Sequence, residues 1–306
     1  MAMRKALLFF DLARSRSALF SVSEPVLGAM LAGRAIPSAR VSLLGLLAAV
    51  AGYFCVYSLN DLLDLKADRE DLRLTAADPQ EWNPEVVHMD IVTLRHPVAA
   101  GAIPLWAAAT WVAVLGAIGL AAAYLLRPLC AWLFIACALL QVFYCSLRRR
   151  TWLKVVPAST MVALGGLAGW FAVGRATWGA VAFFFLLFGW EMFGRNLSND
   201  LADVSHDRGV GITTLASTHG SGAAVKAIVT GAALMPFVGA VQPGSWVARL
   251  LLALAALATM TIPAYLLARA RGTEPAAQRY FNRATFFPPT AAACMIVLAL
   301  VHSLRG

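Results

Sequence analysis

The stretch VSLLGLLAAVAGYFCVYSLNDLLDLKAD, residues 41–68, carries a long apolar run straight into a row of acids. Residues 41–59 suffice to cross a bilayer as one helix, since the hydrocarbon core takes about 20 apolar residues at about 1.5 Å each. The run ends in Asn60-Asp61-Leu62-Leu63-Asp64-Leu65-Lys66-Ala67-Asp68. A second apolar run ends in Asn199-Asp200-Leu201-Ala202-Asp203-Val204-Ser205-His206-Asp207. Both read NDLxDxxxD.

Windows like the first recur near 17–35, 41–59, 104–126, 129–147, 153–174, 178–198, 222–241, 246–268 and 284–304, which predicts an all-α membrane bundle of nine helices. Composition agrees. The 306 residues are 60% hydrophobic and 13% charged, with mean hydropathy +0.72, against about 45–50% and about 25% in soluble domains. Disorder, collagen, coiled coil and a water-soluble α/β enzyme are excluded. Cys55, Cys130, Cys137, Cys145 and Cys294 lie singly in apolar surroundings and read as core residues. Residues 1–16 read as an interfacial segment and not a signal peptide, because Asp11 ends the short apolar run from Ala6 to Phe10. The reading is of one transmembrane domain over 1–306. A long cytoplasmic loop over 60–103 would hold the first motif, and a loop over 199–221 the second.

Nineteen of the 25 basic residues fall at the N-terminus or at the ends of the second, fourth, sixth and eighth windows. Basic residues mark cytoplasmic loops, so the N-terminus and both motifs are expected on the cytoplasmic side of the cell membrane. The net charge of +9 needs no nucleic acid.

The acids are more telling. Thirteen of 16 lie in two windows, Asp61 to Asp90 and Glu191 to Asp207. The motifs are offset by 139 residues, or four windows. An even number of helices preserves direction, so helices 1–4 and 5–8 are expected as parallel pseudo-repeats around a central cavity, with the ninth appended.

At about 100° per residue, Asp61, Asp64 and Asp68 fall within an arc of roughly 60°, as do Asp200, Asp203 and Asp207. One such row is ordinarily a solvated helix face. Two identical rows, each capping an apolar span, suit two faces meeting across a cavity. Mg²⁺ fits such a set, because its ligands are carboxylates completed by substrate phosphates. The six aspartates are therefore the candidate metal and catalytic residues, and a diphosphate is the candidate substrate group.

These motifs resemble those of the UbiA superfamily of intramembrane prenyltransferases, whose pattern is NDxxDxxxD after the second helix and a second aspartate-rich motif after the sixth. Arg95-His96-Pro97-Val98-Ala99-Ala100-Gly101 is similar to the family's stretch after the first motif, and Gly211 to Ala216 with Gly220 to the tail of the second. The resemblance covers roughly residues 15–304. It implies a Mg²⁺-dependent enzyme that ionises a prenyl diphosphate at the cytoplasmic end of the cavity and passes the allylic cation to a lipophilic, often aromatic, acceptor. Asn60 would stand beside the metal ligands. The family's Tyr-x-x-x-Lys element corresponds here to Tyr144-Cys145-Ser146-Leu147-Arg148, followed by Arg149 and Arg150. The expected substrate-binding residues are Asn60, Asn199, Asn196, Tyr57, Tyr144, Arg148, Arg149 and Arg95. The stretch from Asp68 to Arg95 is longer than the family pattern leads one to expect. Its acids Asp78, Glu81, Glu85 and Asp90 read as solvated.

Glu191 precedes Arg195 by four residues, the favourable order for a helical ion pair. Glu24 is an acid inside the first window, and such a residue is a functional candidate by default: it could take an acceptor's proton or orient the acceptor. His96 and His206 lack zinc-site spacing and read at most as phosphate contacts. A terpene cyclase of the same superfamily is the alternative function, with phosphoribosyl transfer to a polyprenyl phosphate as a further variant. Cation transport is disfavoured, because the acids sit at helix ends and not at the midplane.

Overall fold

A computed structural model describes residues 2–77, 94 and 96–304, all helical or irregular. The N-terminal helix α1 (Ala2–Leu12) leads into α2 (Ser15–Ser21) and α3 (Ser23–Gly33). The long helix α4 (Ala39–Leu63) is followed by α5 (Leu65–Ala77), α6 (Leu105–Leu126), α7 (Pro128–Leu147) and α8 (Val155–Val173). Then α9 (Trp178–Gly189) passes through a π-helical stretch (Trp190–Asn196) into α10 (Leu197–Ala202), with α11 (Val204–Gly209) and α12 (Leu215–His219) behind it. The chain ends with α13 (Ser221–Ala240), α14 (Trp246–Ala256), α15 (Ile262–Arg269), α16 (Glu274–Thr285) and α17 (Phe287–Ser303).

Eight continuous helices among the described residues are long and apolar enough to span a membrane. They match the second to ninth windows, with α16 extending the last one toward its N-terminal side. The first window is broken at Val22 into α2 and α3. Pro25 explains the break: its ring clashes with the carbonyl of Ser21 and its nitrogen has no proton for it. Exposed Trp106, Trp132, Trp178 and Trp246 stand near helix ends, as residues with an apolar body and a polar edge do at a membrane surface.

The helices close into a ring. The pairs α4–α6, α6–α7, α7–α8, α8–α9, α13–α14 and α14–α17 are in contact, and α17 returns to α3. Helix α3 also packs tightly on α8. A Cβ on Gly169 would lie 1.9 Å from the Pro25 carbonyl oxygen, so only glycine lets the two backbones meet. The second half is filled by one apolar core that includes Phe183, Leu187, Trp190, Ile228, Leu252, Met260 and Phe287. The cavity lies where the two halves meet, lined by α3, α4 and α7 on one side and α8 on the other.

Candidate active site

Both motifs break at their central aspartate. Helix α4 ends at Asp64, with φ −94° and ψ 3°, and the Asp64 amide donates to the Asn60 carbonyl. Helix α10 ends at Asp203, with φ −103° and ψ 16°, and the Asp203 amide donates to the Asn199 carbonyl. In each case the chain resumes as a second short helix carrying the last aspartate. The predicted single helix face is thus bent at its middle residue in both halves, and the expected loops are helical in part, over Leu65–Ala77, Val204–Gly209 and Leu215–His219. The π-helical stretch before the second motif resets the phase of α9, as such bulges often do at functional sites.

A cavity of about 590 Å³ runs between α3, α4, α7 and α8. Its α4 wall extends from Val41 to Asp61, about 30 Å of helix. Most of that wall is small or apolar: Gly45, Ala48, Ala49 and Gly52 face Gly165, Ala168 and Gly169 of α8. At the other end the lining turns polar, with Tyr57, Asn60, Asp61, Tyr144, Arg148, Asn196, Asn199, Asp200 and Asp203. Members of both motifs therefore reach one end of one cavity.

The carboxylates there are matched by the protein's own cations. Arg14 Nη2 lies 3.3 Å from Asp61 Oδ1, Arg148 pairs with Asp64, and Lys154 Nζ donates to Asp200 Oδ1 at 2.9 Å. His96 Nδ1 is 3.0 Å from Asp68 Oδ2 and 4.0 Å from Asp61 Oδ2. Asp61, Asp68 and His96 bring one ligand atom each to within 4.8 Å of one another. Arg14 and His96 both take left-handed backbone conformations, φ 44° and 50°, strain of a kind that concentrates at functional sites. Burial raises the Asp64 carboxyl above the usual carboxylate range, against the pull of Arg148. Burial likewise pushes Asp207 up to about 7, against Lys154. For Arg148 burial opposes the charge, but Tyr144, Asp64 and Asp68 outweigh it and hold the guanidinium above its usual value. A dense set of hard carboxylate oxygens suits Mg²⁺. Asp200 Oδ2 also fits that role, because it is buried with no hydrogen-bond partner among the described residues.

The remaining expected residues divide. Asn60 accepts a hydrogen bond from Gln141 Nε2 at 2.7 Å, and Asn199 donates to Asp203 Oδ2 at 3.2 Å. Asn196 donates to Glu191 Oε1 at 3.2 Å, and the expected Glu191–Arg195 pair is formed at 3.4 Å. Arg149 turns away to Glu70 on the exposed surface and does not join the site. Arg95 and the acids at 78, 81, 85 and 90 lie outside the described residues. Sequence reasoning counted Arg14 and Lys154 only toward orientation and passed over Gln141.

Residues 25–287 match the UbiA prenyltransferase family. The chain belongs to this family. Among curated relatives, decaprenyl-phosphate phosphoribosyltransferase of Mycobacterium tuberculosis (strain H37Rv) is 30% identical over 116 residues, which are 37% of this chain and 32% of that protein. The match thus spans about a third of that relative's length. Among solved structures, the UbiA homolog from Aeropyrum pernix K1 superposes with a TM-score of 0.70 at 19% identity, covering 92% of this chain and 97% of that one. The Archaeoglobus fulgidus UbiA homolog bound to GPP and Mg²⁺ gives 0.69 at 15% identity, covering 94% and 99%. The UbiA fold is therefore shared across nearly the whole chain.

Proposed function

We propose that this UbiA-family protein moves a prenyl group from a prenyl diphosphate to a lipophilic, aromatic acceptor, with Mg²⁺ held by Asp61, Asp64, Asp68, Asp200, Asp203 and Asp207. The observation that carries this is the meeting of two identical aspartate motifs at one end of a long apolar cavity. The A. fulgidus homolog with GPP and Mg²⁺ supports the donor and the ion.

When bound, Mg²⁺ neutralises charge on the diphosphate and makes it a better leaving group. The protein's own groups do the rest. Arg14, Arg148 and Lys154 are placed to turn from carboxylates to phosphate oxygens as the metal-bound substrate arrives, and Arg148 can do so with two parallel hydrogen bonds. Arg148 lies close enough to act electrostatically on Asp64, Asp200 and Asp207, so it bridges the two motifs. Gln141 holds the Asn60 amide in place. The small-residue channel takes the isoprenoid tail and keeps water from the allylic cation, while Tyr57 offers a ring face to it.

The local match to a phosphoribosyltransferase supports a second reading, in which a polyprenyl phosphate is the acceptor of a phosphoribosyl group. Purified protein with Mg²⁺ and C10, C15 or C20 prenyl diphosphate separates the readings by mass spectrometry of the organic extract. Prenylated adducts that need an added acceptor support transfer. Cyclised hydrocarbons formed without one identify a cyclase. Turnover only with a phosphoribosyl diphosphate and polyprenyl phosphate identifies the second reading.

A further inference from the structure

Glu24 is completely buried in α3. A carboxyl group deep in a membrane bundle is costly and is kept where it has a partner or a task. Its partner is Tyr53 of α4, whose hydroxyl donates to Glu24 Oε2 at 2.5 Å. Glu24 Oε1 has no hydrogen-bond partner among the described residues. Tyr53 lines the cavity, as do Ser21, Val22 and Pro25 around Glu24, so Glu24 stands directly behind the wall. Across from Tyr53, α8 presents Gly165, where a Cβ would come within 3.3 Å of the Tyr53 hydroxyl. The absence of a side chain there keeps the hydroxyl accessible.

A tyrosine has one proton to give. Here it is committed to Glu24, so Tyr53 offers the cavity only lone pairs. A molecule seated there must donate a hydrogen bond. The neighbouring wall is Arg195, Glu191 and Phe281. Arg195 pairs with Glu191 at 3.4 Å and lies over the rings of Phe281 and Trp190 at 5.4 and 5.7 Å. This wall suits an uncharged, lipophilic molecule better than an anion. Tyr53 precedes Asp61 by eight residues, about 12 Å along α4, which leaves room for an acceptor beside the diphosphate.

We propose that Tyr53 and Glu24 deprotonate the acceptor, and that the acceptor is an uncharged lipophilic hydroxyl compound. This rests on the prenyl-transfer reading above. The donor's C1–O bond breaks, and its electron pair leaves with the diphosphate. The acceptor oxygen supplies the pair for the new C1–O bond. Its proton passes to the Tyr53 oxygen while the Tyr53 proton passes to the Glu24 carboxylate, so one cation is quenched and one carboxylate neutralised. Tyr53 is the catalytic residue and Glu24 positions and discharges it. The titratable and charged groups facing the pair are Tyr57 on α4, Cys137 on α7, and Glu191 and Arg195 beyond α9.

The test uses the full chain in detergent with geranyl diphosphate, Mg²⁺ and three probes: 1-naphthol, 1-decanol and 1-hydroxy-2-naphthoate. Wild type is expected to form ethers with either uncharged probe in preference to the carboxylate. Tyr53→Phe and Glu24→Gln are expected to lower kcat for ether formation about a hundredfold. Glu24→Asp recovers part of the rate. Preference for the carboxylate, unimpaired ether formation in both variants, or diphosphate release with no adduct from any probe overturns the proposal. Absence of Mg²⁺-dependent diphosphate release from wild type instead overturns the prenyl-transfer reading.

Discussion

Lys154 Nζ lies 2.9 Å from Asp200 Oδ1, and the two side chains are only 4% and 11% exposed. The pair joins the start of the fifth span to the second aspartate motif. Removing one member of a buried pair leaves the other charged and unsolvated, at a cost of about 3–5 kcal/mol. Lys154→Met is therefore expected to lower the detergent melting temperature markedly, and adding Asp200→Asn should recover most of the loss. The exposed Arg149–Glu70 pair is the contrast: Arg149→Ala should shift stability by less than about 1 kcal/mol. Equal effects of the two single substitutions would contradict this placement of charge.

Asp207 gives a pH dependence of definite sign. Its folded value is about 7 against 3.8 for the free carboxyl, with burial as the main cause. Folding thus favours the protonated group. That contribution is complete below about pH 3.8, and it is lost as pH rises through about 7. In metal-free buffer the melting temperature should fall between pH 5 and pH 8, and Asp207→Asn should flatten that decline. A wild-type curve rising over the same interval would refute the assignment.

The contact of α3 with α8 tolerates nothing larger than hydrogen at Gly169, where a Cβ would lie 1.9 Å from a backbone oxygen. Gly169→Ala should destabilise the bundle by about 1–3 kcal/mol or prevent its recovery from membranes. At Gly45 nothing lies within 4 Å of an added Cβ. Gly45→Ala should be neutral in thermal denaturation.

Gly45 also lines the channel far from the aspartates. A larger side chain there occupies space that only a long donor reaches. Gly45→Leu should lower kcat/KM for a C20 donor about tenfold while leaving a C10 donor nearly unchanged. Equal loss for both lengths would show that the tail does not run along this part of α4.

The spans were legible because apolar windows and bilayer thickness leave few choices, and the motif pair was legible because clustered acids are rare in such a chain. Glu24 stood out for the same reason. The break at Val22 was encoded in Pro25 but hidden inside a run of apolar residues. The bends at Asp64 and Asp203 were not readable, since the motifs have no glycine or proline and their termination is decided by tertiary contacts. Lys154 was masked by a general rule: any basic residue at a cytoplasmic helix end already satisfies the orientation count. Its burial is the informative fact, and burial appears only when α8 and α10 are brought together. Arg149, adjacent in sequence to Arg148, pointed the other way because two successive residues at a helix end cannot face the same side.

The most direct test is diphosphate release from geranyl diphosphate by purified wild type, Asp61→Ala and Asp200→Ala, with and without Mg²⁺. If the two motifs hold the ion and the leaving group together, wild type releases diphosphate only with Mg²⁺, and each variant, still folded in detergent, is nearly inactive. Normal release by either folded variant, or release by wild type in a chelator, would contradict a shared metal–diphosphate site.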